Sequence, residues 1–220
     1  FAEDARDAGF VADLAALAKT HHIAMRTKPN WRAGLEALAT RVPVSVAAFH
    51  DATLAEWVRA TLAAHPIDSI VVFSGQMAQY IPADFAANRA KRVIMDFVDV
   101  DSAKFESYAA SGNPVMRWVN AREGRMLAAM EAKVSTRADA SFFVSDAEAA
   151  LFRARSGAAN VAALSNGIDG VFYDPQADFA LLPDAAGPIM VFTGQMDYRP
   201  NVEAVESFAR DVLPKIRETH

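Results

Sequence analysis

Short apolar runs, each closed by Gly, Asn or Asp and separated by stretches with helical spacing, limit what this chain can fold into more than any other feature. Three of them are the most informative: VIMDFVDVDS (Val93 to Ser102), LSNGIDGVFYDP (Leu164 to Pro175) and GPIMVFTGQMDYRPN (Gly187 to Asn201). A strand ending in this way delivers polar groups to the rim of a sheet. In open α/β folds, ligands bind at that rim, outside the carboxyl ends of the strands. The run from Ile67 to Phe73 reads as a strand buried on both faces, turned out of the sheet by Ser74-Gly75. Val93 to Val98, Ala140 to Val144 and Val161 to Leu164 read as further strands, and His22 to Arg26 as a short extended piece.

Helical patterns fill the spaces between these runs. Asp4 to about Lys19 places Phe10, Val11, Leu14, Leu17 and Ala18 on one side. Thr53 followed by Glu56 forms a capping box for a helix with Leu54, Trp57, Val58 and Leu62 on one side, and Ser145 with Glu148 forms another for a helix through Phe152. The longest pattern, Met116 to about Ala138, turns Val119, Leu127, Met130 and Val134 inward and its Arg and Glu residues outward. Strands alternating with helices predict βαβ units and a mostly parallel sheet. The Pro/Gly/Asp-rich stretch from Tyr173 to Pro188 reads as a linker, and Ile189 to Thr193 with a helix from Asn201 to about Ile216 reads as the start of a second domain.

Composition removes several classes of function. With 52% hydrophobic residues and 14 Phe the chain can bury a real core, unlike a disordered tail. The net charge of −5 disfavours broad electrostatic binding to nucleic acid, while leaving room for a local basic patch on a membrane-facing side. Zero Cys excludes disulfides, thiolate catalysis and cysteine-metal sites. No stretch approaches the roughly 18 apolar residues of a membrane span, and the charged start lacks the layout of a signal peptide. The histidines show no metal-ligand spacing, and no G-x-S-x-G elbow serves a hydrolase triad.

In their order and spacing the three segments, together with PVSVAAFHD, VVFSGQMAQYIP, FFVSDAEAALF and NVEAVESFARDVLP, resemble the retaining, nucleotide-sugar-dependent glycosyltransferases of GT-B fold, group 1 type. The similarity is greatest to the branch associated with bacterial exopolysaccharide and protein-sorting loci. A GT-B transferase has two Rossmann-like domains, far more than 220 residues at about 150 per domain. The resemblance therefore implies a piece truncated at both ends. It would comprise an acceptor-side domain lacking its first strand (1–175), an interdomain linker (176–188) and the first βα unit of a donor-side domain (189–220). The first glycine-rich loop is missing, and the family's paired glutamates eight residues apart are expected beyond His220, so the piece itself is expected to be inactive.

Site residues follow from the same comparison. Family members often end the strand here with an apolar-Asp-apolar-His-Asp pattern; Asp99 fits the second Asp and is the expected catalytic residue, although the His position holds Val98. Asp96, Asp101, Ser74 and Gly75 are expected on the substrate. Read from the residues alone, the three aspartates can supply a base, hold sugar hydroxyls or bind a divalent cation; alternatively Asp101 or Ser102 caps the next helix. Asn166, Gly167 and Asp169 at the crossover, and Gly194, Gln195 and Arg199 after the first strand of the second domain, are expected beside the donor, where backbone N–H groups can hold phosphate. Asp197 completes that loop. The resemblance implies no metal and no cofactor. Its partners would be a nucleotide-sugar donor and a glycan or lipid-linked acceptor, with no nucleic acid. The protein would be cytoplasmic, with peripheral contact at the inner membrane and a homodimer through the C-terminal segment as further expectations. The alternative is a non-catalytic α/β sugar- or nucleotide-binding module.

Overall fold

The computed structural model describes residues 1–2, 7, 9–88, 90–178, 188–196 and 199–219. The chain divides into two units, Phe1–Gly167 and Ile168–His220, so the break falls earlier than the expected boundary at 175. Most of the expected linker, 176–188, lies outside the described residues.

The first unit is built on four parallel strands in the order β1-β2-β3-β4: β1 Ser69–Phe73, β2 Arg92–Val98, β3 Ala140–Phe143 and β4 Val161–Ala163. Every connection is a crossover containing helix, as parallel pairing requires. Described helices are α1 Val11–Leu17, α2 Asn30–Thr40, α3 Val44–Ala48, α4 Ala52–Ala64, α5 Ala83–Ala87, α6 Asp101–Ala109, α7 Pro114–Ser135 and α8 Asp146–Ser156, with a 3-10 segment over Gly75–Tyr80. This is the expected mixed α/β, parallel-sheet architecture of Rossmann-like type. Alternation along β2 sends Val93, Met95 and Phe97 to one side. There they join Val72, Phe143 and the α8 residues Ala149 and Phe152 in the main core. Phe143 and Phe152 lie 4.6 Å apart between ring centroids. Each fully buried ring of this kind stabilises the fold by about 1.5–3 kcal/mol.

The other side of β1 corrects the expectation of a strand buried on both faces. Val71 and Phe73 are 69% and 66% exposed, and among the described residues β1 pairs only with β2. An apolar run shows that a strand can be covered on both faces, but a neighbouring layer has to provide the cover. Helix α1 departs from expectation in the same way. It has no buried residue, and Phe10 and Leu17 face solvent; the start of that helical pattern lies partly outside the described residues.

Two helix caps were misplaced or incompletely read in the sequence. At α4 the cap is Asp51, whose carboxylate accepts the Leu54 amide at 2.8 Å and the Thr53 hydroxyl at 2.6 Å. Thr53 therefore supports the cap from inside the helix, and these two bonds, with the Thr53 hydroxyl first, lower the Asp51 pKa. At α8 the Ser145 hydroxyl accepts the Glu148 amide at 3.2 Å as expected, but the Glu148 carboxylate turns away to another loop.

In the second unit, helix α9 runs Arg199–Ser207, a π-helical stretch covers Phe208–Val212, and α10 runs Leu213–Thr219. Pro214, without an N–H, follows the widened turn that accommodates it. Residues 188–196 carry no strand, so the expected strand Ile189 to Thr193 is not formed. A single extended segment has nothing to pair with, since the described part of this unit offers no second strand. Among the described residues no helix is long and apolar enough to cross a membrane.

Candidate functional site

The carboxyl rim of the sheet is where β1 and β2 deliver the expected substrate residues. The Ser74 amide donates to the Asp96 carbonyl at 2.7 Å, and the Val144 amide to the Val98 carbonyl at 2.7 Å. These bonds join the loops after β1, β2 and β3. Between Asp96 and Val98 the register of β2 against β3 shifts by a bulge, a device that re-aims side chains at sheet rims. Two non-glycine residues here adopt left-handed backbone, Ser74 at φ 72° and Val98 at φ 70°. For β-branched Val98 this is a genuine outlier, and strain of this kind gathers at sites where the surrounding structure holds it in place.

The three aspartates are engaged differently. Asp96 accepts the Val98 amide at 3.1 Å, a local turn bond. Asp101 lies in the first turn of α6 and pairs with Lys104 at 2.7 Å. Asp99 is half-buried between them and receives no hydrogen bond from the described residues. Burial raises its pKa above the ordinary aspartate value; Lys104 opposes the rise, while Glu148 and Asp101 add to it. Among the described residues, no three His, Asp or Glu side chains converge to hold a metal ion.

Ser74 is half-buried, its hydroxyl directed to Gln76 Oε1 at 2.8 Å. Gly75 is buried, and a Cβ there would stand 3.4 Å from Met130 Cε and 3.5 Å from Phe97 Cδ1. Both are ordinary van der Waals distances, so the packing at this position has room for a Cβ.

The sequence reading missed the carboxylates behind the rim. Glu148 accepts the Val100 amide at 2.7 Å, and Glu131, from α7, accepts the Ser102 amide at 2.9 Å. Neither Asp101 nor Ser102 caps α6 with its side chain; acidic residues from two other helices hold the amides at its start, as the helix dipole favours. Glu131 is buried, which pushes its pKa up against the lowering effect of Ser102. It borders a cavity of about 250 Å³ shared with Ser102, Phe152 and Arg155. A second buried glutamate on α7, Glu123, accepts the Val44 amide at 2.7 Å and the amide and hydroxyl of Ser45, each at 3.0 Å. The two therefore point inward, against the expected outward placement. Their eight-residue separation could have been read from the sequence, as could the helical period that puts both on one face.

The expected donor residues divide between the units. Asn166 and Gly167 are exposed at the end of the first. In the second, the Asp169 carboxylate accepts the Val171 and Phe172 amides at 3.0 and 2.9 Å, closing a turn. The Gly194-Gln195 turn is held by Asn201, whose Nδ2 donates to the Gln195 carbonyl at 3.0 Å; a Cβ on Gly194 would meet that same nitrogen at 2.9 Å. Arg199 opens α9, and Asp197 lies outside the described residues. Comparison with protein-family models, curated proteins and solved structures finds no match to this chain.

Proposed function

We propose that the chain is the acceptor side, with part of the donor side, of a glycosyltransferase that moves a sugar from a nucleotide-diphosphate donor to a glycan or lipid-linked acceptor in bacterial polysaccharide synthesis. The observation that carries this reading is Asp99: a half-buried carboxylate without a hydrogen bond from the described residues, at the rim of a parallel sheet, with its pKa raised chiefly by burial. Such a group is suited to accept a proton from, or orient, an acceptor hydroxyl. Ser74 and Asp96, linked across the rim, would hold neighbouring hydroxyls. In the second unit, backbone amides near Gly194 and Gln195 would be the groups for the donor phosphates. Preorganised donors of this kind provide most of the rate when charge develops on a leaving diphosphate. The peripheral membrane placement belongs to the same proposal, because a lipid-linked acceptor has to be met at a bilayer.

The test is release of nucleotide diphosphate by the protein at its natural length across a panel of nucleotide sugars. Asp99→Asn should lower turnover by about tenfold or more; unchanged turnover with normal folding would remove Asp99 from the chemistry. Because burial raises the Asp99 pKa, activity that needs its carboxylate should fade on acidification at a pH above the ordinary aspartate range. Lys104 favours the ionised form, so Lys104→Gln should move that acid limb higher still.

A non-catalytic binding module is the second reading. It is favoured by Val98, which stands where the family's pattern has the His near the reacting sugar. Nucleotide-sugar binding with no turnover on any donor would select it.

A further inference from the structure

His50 is exposed, yet two other residues are committed to fixing it. It stands between α3 and α4, and both of its neighbours are held by the Tyr80 hydroxyl, which donates to the Phe49 carbonyl and accepts the Asp51 amide at 2.8 Å. The ring itself is held by Gln79 from the 3-10 segment, whose Oε1 lies 3.2 Å from His50 Nδ1.

That bond has only one possible direction. Gln79 Nε2 is directed to the Gln76, Val46 and Phe49 carbonyls at 2.9, 3.1 and 3.3 Å, and turning the amide over would set its oxygen against three carbonyl oxygens. A carboxamide oxygen only accepts, so Nδ1 carries the proton. The neutral ring is then the Nδ1–H tautomer, and the Nε2 lone pair has no hydrogen-bond partner among the described residues. A bond at one ring nitrogen that decides the role of the other prepares an imidazole to accept from a hydroxyl.

His50 borders a pocket of about 200 Å³ with Met25, Thr27, Pro29, Ala48 and Asp51. The charged groups around it are already engaged. Lys28 and Arg32 bind Glu36, Arg26 lies over the Phe49 ring, and the Asp51 carboxylate holds Thr53 and the Leu54 amide. What is left for a ligand is a neutral acceptor, Nε2, beside the apolar Met25 and Pro29. The volume is below the roughly 300 Å³ of ordinary small-molecule pockets, so it suits one ring of a larger molecule. Gln76, whose carbonyl takes the Gln79 amide, also accepts the Ser74 hydroxyl, so the residues that fix His50 lead back to the sheet rim.

We infer that His50 and this pocket form a subsite for a neutral sugar ring, one of whose hydroxyls donates to Nε2. The inference deepens the preceding proposal and rests on it only for taking that ring to be part of the acceptor glycan.

The experiment is long-range ¹⁵N spectroscopy of the imidazoles at about pH 8.5, above the ordinary histidine range, with His50 assigned by the signal missing from His50→Asn. The spectrum should show a protonated Nδ1 and a bare Nε2. Methyl α-glucoside, α-galactoside and α-mannoside are then added in turn, and at least one should move the Nε2 signal saturably. Asn keeps an N–H for Gln79, so His50→Asn should unfold at the same temperature as the unmodified chain while binding that glycoside up to about tenfold more weakly, as the loss of one hydrogen bond allows. An Nε2–H tautomer, an Nε2 signal that no glycoside moves, an equal response to glycerol, or full binding by His50→Asn would overturn the inference. No donor and no turnover enter these measurements, so their failure leaves the Asp99 test standing, and failure of the Asp99 test leaves them unchanged.

Discussion

Helix α7 holds two regions of the first unit with the same kind of residue used in two ways. Near its middle, Glu123 offers its carboxylate to three donors and fixes the start of α3. Eight residues later, about 12 Å along the helix, Glu131 is equally buried but takes a single amide, that of Ser102, and burial raises its pKa. The contrast lies in the number of donors, three for Glu123 and one for Glu131. Glu123 belongs to the packing of α3 against α7. Glu131 stands behind the loop that carries Asp99 and Asp101.

Removing Glu123 should have the largest effect. Glu123→Ala leaves the Val44 and Ser45 amides and the Ser45 hydroxyl without their acceptor, and at about 1–3 kcal/mol for each buried unsatisfied group the loss should reach about 3 kcal/mol in urea denaturation. A loss below about 1 kcal/mol would end the distinction between the two sites. Ser45→Ala removes one donor and should cost about 1 kcal/mol, measured the same way.

Glu131→Gln should change stability least at neutral pH, because the amide oxygen can still accept from Ser102 while the cost of burying charge is removed. Its effect should appear in the pH dependence. A carboxyl whose folded pKa is raised binds more protons folded than unfolded between the unfolded and folded pKa values. Stability is therefore full below the ordinary glutamate range and falls as pH rises through the raised value. Glu131→Gln should flatten that decline; an unchanged slope would show that Glu131 is not its source.

These same residues mark how far the sequence could be read. The strands were legible because Val93 to Val98, Ala140 to Val144 and Val161 to Leu164 carry apolar runs bounded by turn residues, and they formed within a residue of expectation. Helical period alone assigns charged residues to water, which hid Glu123 and Glu131. The Thr53/Glu56 pattern had the spacing of a capping box, yet Asp51, two residues earlier, supplied the better acceptor. Ile189 to Thr193 had the composition of a strand, but composition cannot provide a partner. At the rim, the sequence pointed to Ser74, Asp96, Asp99 and Asp101 through turn chemistry and resemblance. What it could not show was their unequal engagement, which depends on Lys104, Glu131 and Glu148 arriving from other elements.

The left-handed turn at Val98 has a consequence in time as well as in shape. A β-branched residue held at φ 70° costs about 1–3 kcal/mol of backbone strain, maintained by the Asp96 carboxylate on its amide and the Val144 amide on its carbonyl. That energy is returned whenever the loop lets go. Local opening of the rim should therefore cost less than opening of the sheet beneath it, a difference that hydrogen exchange at the Val98 and Val144 amides would measure. A ligand contacting this loop would then shift the balance between the strained turn and its relaxed form only by binding one of them more tightly.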